Sequence, residues 1–113
     1  MKTYQQKGSE SLLIINHRTS KKILIDDVVL LKGNINYTIF QLQCGSEKVV
    51  PHSIKFFEPY LEKRGFLRIH RSYMVNLNYV KEYNQEHEVL TMSNGHKANI
   101  SRRRKQAMKG FGE

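Results

Sequence analysis

The sequence predicts a mainly β fold of about eight to ten short strands with one or two short helices, and three observations predict it. Apolar runs are only a few residues long and rich in β-branched, aromatic and Leu side chains, as in Leu12-Leu13-Ile14-Ile15 and Tyr37-Thr38-Ile39-Phe40. Turn-forming pairs recur between them, and Asn94-Gly95 is the strongest hairpin signal in the chain. Helical spacing of apolar residues is credible in one window, at Ile54, Phe57 and Leu61. With 113 residues, 39% of them hydrophobic, the chain suits one domain with a modest core.

Residues 1–10 are polar and aperiodic and read as a flexible leader, ahead of a single domain over residues 11–113. The first strand covers Leu12-Leu13-Ile14-Ile15 and closes at the loop composition of residues 16–20. Ile23-Leu24-Ile25 then meets Asp26-Asp27, where a turn or a brief helical kink fits. Val28-Val29-Leu30-Leu31 continues as a strand and stops at Lys32-Gly33-Asn34. Residues 37–43 end in apolar–polar alternation, the mark of a half-buried strand, and Gly45-Ser46 turns them into a hairpin with Lys48-Val49-Val50. Ser53 is the N-cap of the helix, Pro59 shortens or kinks it, and Gly65 supplies a left-handed end. Strands resume at 66–69, 73–75, 79–83, 89–92 and 98–100, and residues 102–109 offer a last helical turn or two. The order lacks consecutive helices of the helix-turn-helix kind and the βα rhythm of a nucleotide-binding sheet.

Lys+Arg number 19 against 10 Asp+Glu, for a net charge of +9, which suits a polyanion such as duplex nucleic acid or marks a merely basic protein. The charge falls in two runs, Arg102-Arg103-Arg104-Lys105 and the set Lys63, Arg64, Arg68 and Arg71, which offer two places to grip phosphates. Enzyme chemistry finds little support. Asp26 and Asp27 are strand or turn neighbours, and Ser72 near His70 has no carboxylate to complete a triad. The five histidines show no metal spacing, and the glycines form no phosphate loop. Cys44, the one cysteine, rules out an internal disulfide or a cysteine-based zinc site and reads as a small core residue. No catalytic residue, cofactor or metal site is expected. Apolar runs are too short for a membrane helix and no signal peptide is visible, so the expectation is a cytoplasmic protein without a membrane partner. Arg64-Gly65-Phe66 begins like an RNA-recognition octamer, but Arg68 and Arg71 stand where its stacking aromatics belong.

The informative stretch is Phe66-Leu67-Arg68-Ile69-His70-Arg71-Ser72-Tyr73-Met74-Val75-Asn76-Leu77-Asn78-Tyr79-Val80, two apolar strands interrupted by a compact polar trio. Burial explains the apolar residues; it does not explain His70-Arg71-Ser72, beyond Arg71 as a solvated loop cation. This stretch resembles the signature of the LytTR family of bacterial DNA-binding domains. As in that family, it is followed by a hairpin, Leu90-Thr91-Met92-Ser93-Asn94-Gly95, and by Ile100-Ser101-Arg102-Arg103. Upstream, Ile25-Asp26-Asp27-Val28-Val29-Leu30-Leu31 with Asn36-Tyr37-Thr38 is similar to the family's first block, and residues 53–61 match its short helix.

The resemblance implies an elongated, mostly antiparallel fold that binds duplex DNA through loops rather than a recognition helix. It also implies transcription regulation, usually as the output of a two-component response regulator whose receiver precedes it. Carried over by position, Arg103, Arg71 and Asn36 are the base readers, on three loops that meet successive grooves. Chemistry agrees, since the Arg fork matches guanine and the Asn amide matches adenine. Arg102, Arg104, Lys105, Ser72, Asn99 and Ser101 are candidates for positioning phosphates. Family operators imply tandem copies on direct-repeat duplex DNA. Head-to-tail contacts need little preformed dimer and no coiled-coil heptads supply one, so a monomer is expected in free solution, and RNA polymerase is a candidate further partner. No receiver precedes the matched region, which makes the chain either a stand-alone regulator or a piece of one. Arg71, where some members carry a smaller polar residue, leaves the target sequence open. Two other readings stand beside this one: an RNA-binding β module, and a protein-interaction domain with the same fold.

Overall fold

The structure is a computed structural model that describes residues 3–5, 11–16 and 21–108, with side chains over 22–106. Its strands are β1 (Thr3–Gln5), β2 (Ser11–Asn16), β3 (Lys21–Leu24), β4 (Val28–Gly33), β5 (Thr38–Leu42), β6 (Glu47–Val50), β7 (Phe66–His70), β8 (Tyr73–Asn76), β9 (Val80–Asn84), β10 (Val89–Met92) and β11 (Lys97–Asn99). One α-helix, α1 (Ile54–Glu62), links β6 to β7, and 3-10 turns occupy Ile25–Asp27, Leu77–Tyr79 and Arg102–Met108. A central five-stranded sheet runs β6-β5-β4-β8-β7, flanked by the three-stranded sheets β1-β2-β3 and β11-β10-β9. All pairs are antiparallel. The principal extents are 45 × 32 × 24 Å.

The two faces of the central sheet carry two cores. Helix α1 buries Ile54, Phe57 and Leu61 against Val28, Leu31, Phe40 and Met74 on one face. The β9–β11 sheet buries Leu90, Met92 and Ala98 against Val29, Leu30, Ile69 and Val75 on the other. Strand alternation alone sends Val28 and Leu30 to the same face. A bulge in β4 prevents that: Val28 pairs with Leu42 and Leu30 with Gln41, leaving Val29 as the extra residue. Val29 and Leu30 then share one core and Val28 and Leu31 the other, so a continuous apolar run serves both.

Most local expectations hold. The Asn94-Gly95 hairpin joins β10 to β11, and Gly95 has φ +86°. Gly65 ends the helix region at φ +86°. Asp26 and Asp27 sit in the first 3-10 turn, where the Asp27 carboxylate accepts from Gln43 Nε2 at 2.9 Å. Ser53 stands at the N-cap but its hydroxyl makes no capping bond; instead the Phe56 N–H donates to the Ser53 carbonyl. Cys44 is not a core residue. It lies exposed in the β5–β6 turn, where no sheet face is available to bury it. Within the leader, Thr3–Gln5 pairs with β2, a strand three residues long that no periodicity announces; residues 1, 2 and 6–10 lie outside the described residues, as does Lys109 at the end of the last basic segment.

Candidate nucleic-acid interface

The β7–β8 hairpin has a two-residue tip, Arg71-Ser72, because His70 pairs with Tyr73. A second bulge makes this possible. Arg68 pairs with Met74, so Ile69 is the extra residue, and the strand is re-aimed just before the turn. Neither tip residue has positive φ, so the turn is not of the mirror-image kind that fits a hairpin unaided. Arg68 supplies the missing support. It is 9% exposed, and its guanidinium donates to the His70 carbonyl at 2.8 Å, the Arg71 carbonyl at 2.5 Å and Glu58 Oε1 of α1 at 2.6 Å. The Ser72 N–H donates to His70 Nδ1 at 3.0 Å, which requires a neutral acceptor nitrogen. Burial holds the His70 imidazole below its ordinary pKa, and the Arg71 and Arg68 cations add to the effect.

The loop between β4 and β5 lies beside this turn, since the Gly33 N–H donates to the Ser72 carbonyl at 3.0 Å. Asn34 closes the loop on itself. Its N–H donates to the Tyr37 carbonyl, and its Oδ1 accepts the N–H groups of Asn36 and Tyr37 at 2.7 and 3.0 Å. Glycine is required at 33 by close approach, because a Cβ there would stand 2.4 Å from the Tyr37 carbonyl oxygen. The tip presents Ile35, Asn36 and Tyr37 to solvent.

The third segment follows β11. The Ser101 N–H donates to the carbonyl of the bulged Ile69 at 2.8 Å, an acceptor on the outer edge of the central sheet. Ser101 then starts the 3-10 helix Arg102–Met108: its carbonyl and its Oγ accept the Arg104 N–H at 3.1 and 3.3 Å. Glu58 ties this segment to the hairpin, since its second oxygen faces Arg104 Nη1 at 3.8 Å.

Three of the sequence-derived candidates are therefore exposed on segments joined by backbone hydrogen bonds at one end of the central sheet: Asn36 on the β4–β5 loop, Arg71 on the hairpin tip, and Arg103 in the first turn of the 3-10 helix rather than on the expected loop. Among the described residues, the side chains of Asn36, Arg71, Arg102 and Arg103 have no hydrogen-bond or ion-pair partner. Arg104 is half-buried against Glu58, and Lys105 pairs with Glu88 at 3.0 Å. Ser72 and Ser101 are half-buried, with their backbone groups holding the loops together. Asn99 is exposed on β11, and no side-chain contact joins it to the loops.

The second basic cluster is not a cluster. Lys63 and Arg64 lie before β7, Arg71 lies beyond its far end about 16 Å away, and Arg68 is buried between them. Arg64 stacks over the Tyr60 ring at 3.6 Å and donates to the Tyr60 carbonyl. Glu58, the acceptor that gives Arg68 and Arg104 their roles, was not a sequence candidate. Its place on the inward side of α1, one turn before the buried Leu61, was the only available signal. Among the described residues no group of His, Cys, Asp or Glu is placed to hold a metal, and no helix is long and apolar enough to cross a membrane.

Comparisons with a family model and with solved structures agree. The family model described as the LytTr DNA-binding domain matches residues 18–112. Among solved structures, the chain is similar to the LytTr DNA-binding domain of a methyl-accepting/DNA response regulator from Bacillus cereus, at 26% sequence identity and a TM-score of 0.71. That alignment covers 90% of this chain and 97% of the other. No curated protein sequence matches the chain.

Proposed function

The chain belongs to the LytTR family of DNA-binding domains, and from that premise we propose how it reads its target. Arg103, Arg71 and Asn36 contact base edges, each from its own segment, with the segments set in successive grooves of one duplex face. Arg102, Arg104, Lys105, Ser72, Ser101 and Asn99 position the phosphates. The observation that carries this reading is the combination of free side chains with tied backbones. Among the described residues the three reading side chains have no partner to give up, while the peptide groups beneath them are joined through Gly33–Ser72, Ser101–Ile69 and the Arg68 fork. Such a surface loses little conformational freedom on binding.

Roles divide by chemistry. A guanidinium meets guanine O6 and N7 with two parallel bonds, and an Asn amide does the same for adenine N6 and N7. Arg102 is free to meet a phosphate directly, whereas Lys105 must exchange the Glu88 carboxylate for one. The Ser101 hydroxyl accepts from Arg104 and keeps its own proton for a phosphate oxygen. In this reading the domain serves transcription regulation in the cytoplasm, monomeric in free solution, with copies bound in tandem on direct repeats and RNA polymerase as a further partner.

The test is selection of a duplex from a random library, followed by competition. The selected duplex should outcompete scrambled duplex by on the order of a thousandfold at physiological salt. Single-stranded DNA and structured RNA should compete no better than scrambled duplex. Preference for RNA would replace this reading with an RNA-binding module, and absence of nucleic-acid binding would leave a protein-interaction domain.

A further inference from the structure

Ile35 is 86% exposed, more than any other large apolar side chain in the described structure. A lone exposed isoleucine is ordinary on a protein surface and asks for no explanation by itself. Its setting is not ordinary. It stands at the tip of a loop whose Asn34, Asn36 and Tyr37 N–H groups are all committed inside the loop. Gly33, which no other residue can replace without moving the Tyr37 carbonyl, and the Thr38 hydroxyl, which donates to the His52 carbonyl at 2.6 Å, fix the two ends. What this rigid tip offers outward is an aliphatic side chain next to the free amide of Asn36.

We infer that Ile35 is a further specificity residue, whose side chain packs on the C5-methyl of a thymine in the major groove, on or next to the base pair that Asn36 reads. The inference rests on the base-reading role proposed for this loop. The thymine methyl is the one apolar feature that distinguishes bases in the major groove, and aliphatic contact is how proteins sense it. A β-branched side chain suits the task because its few rotamers leave little entropy to lose on contact. Asn36 and Ile35 together would demand an A·T-containing step under this loop, with the amide fixing the adenine edge and the isoleucine fixing the methyl.

The experiment replaces thymines by uracil, one at a time, in the selected duplex, which removes the methyl and nothing else. Wild-type protein should lose roughly fourfold in affinity at one position per half-site, the value of one buried methyl group, and little elsewhere. Ile35→Ala should bind the thymine duplex several-fold more weakly and be indifferent to uracil at that position. Ile35→Val should fall between them. Ile35 is exposed, so both variants should melt as wild type does. Two results would overturn the inference: a uracil scan with no sensitive position, or Ile35→Ala keeping the wild-type sensitivity. If wild-type protein fails to prefer the selected duplex to a scrambled one, the base-reading role itself falls and takes this inference with it.

Discussion

Arg68 and Arg71 lie three positions apart and look alike in sequence, yet the fold uses them for opposite purposes. Arg68 is folded inward because three oxygens, two carbonyls of the turn and one of Glu58, meet its planar fork at hydrogen-bond distance. Arg68→Ala leaves those acceptors short of a donor and should cost about 2–4 kcal/mol in chemical denaturation. Arg71→Ala should change stability by less than about 0.5 kcal/mol and weaken the selected site by about 1–3 kcal/mol. If Arg68→Ala unfolds no more easily than wild type, its place as a structural clamp is wrong. The same turn carries a pH dependence. His70 has a folded pKa below its unfolded value of about 6.5, so the unfolded chain binds more protons as pH falls below that value. The contribution of His70 is thus present above pH of about 6.5 and is lost as acid protonates the unfolded ring, then the folded one. His96, whose pKa is also lowered by burial and by Lys32, acts in the same sense. Melting temperature should therefore drop between pH 7.5 and 5.5, and His70→Gln should reduce the drop without abolishing it.

At the scale of elements, the features legible in sequence were those written in local chemistry. Asn94-Gly95 and Gly45-Ser46 announced their hairpins because turns depend on a few adjacent residues, and residues 54, 57 and 61 announced the helix by spacing. The bulges at Val29 and Ile69 were not legible, since a bulge is a relation between two strands and neither residue is unusual by itself. The Ile69 bulge matters most for function. It sets the two-residue tip that carries Arg71 and provides the carbonyl that anchors Ser101. The candidate readers Asn36, Arg71 and Arg103 came from a family resemblance, and their common location depends on contacts that no spacing in the chain encodes. The β4–β5 loop shows how tightly such a contact is specified. Gly33→Ala puts a methyl 2.4 Å from the Tyr37 carbonyl, so the loop must open. That should cost about 1–3 kcal/mol of stability. It should also weaken binding to the selected duplex more than to a scrambled one, a difference that parallel titrations would register.

Over the whole molecule, a net charge of +9 sets the strength of duplex binding and its response to salt. With Arg102, Arg104 and Lys105 on phosphates and Arg71 and Arg103 beside them, three to five cations per domain neutralise phosphate charge, and log K should fall against log[salt] with a slope of roughly −3 to −4.5. A slope shallower than about −2 would make the basic residues solvated surface. The cations assigned to DNA sit on the β7–β8 tip and along the 3-10 helix Arg102–Met108 rather than on α1, which is packed inward on the core. The other end of β7, with Lys63 and Arg64, should contribute little: Lys63→Ala should leave the slope unchanged, while Arg102→Ala should reduce it by about one unit.

Base reading by the three segments is tested most directly by comparing Arg103→Ala with Lys105→Ala on the selected duplex and on a scrambled one at matched salt. Arg103 has no partner in the described structure and is assigned to a base, whereas Lys105 leans on Glu88 and is assigned to a phosphate. Arg103→Ala should lose about 1–3 kcal/mol on the selected duplex and little on the scrambled one. Lys105→Ala should weaken both by similar factors. Equal loss from Arg103→Ala on both duplexes would contradict the account, because Arg102-Arg103-Arg104-Lys105 would then be a cationic segment that grips DNA without reading it.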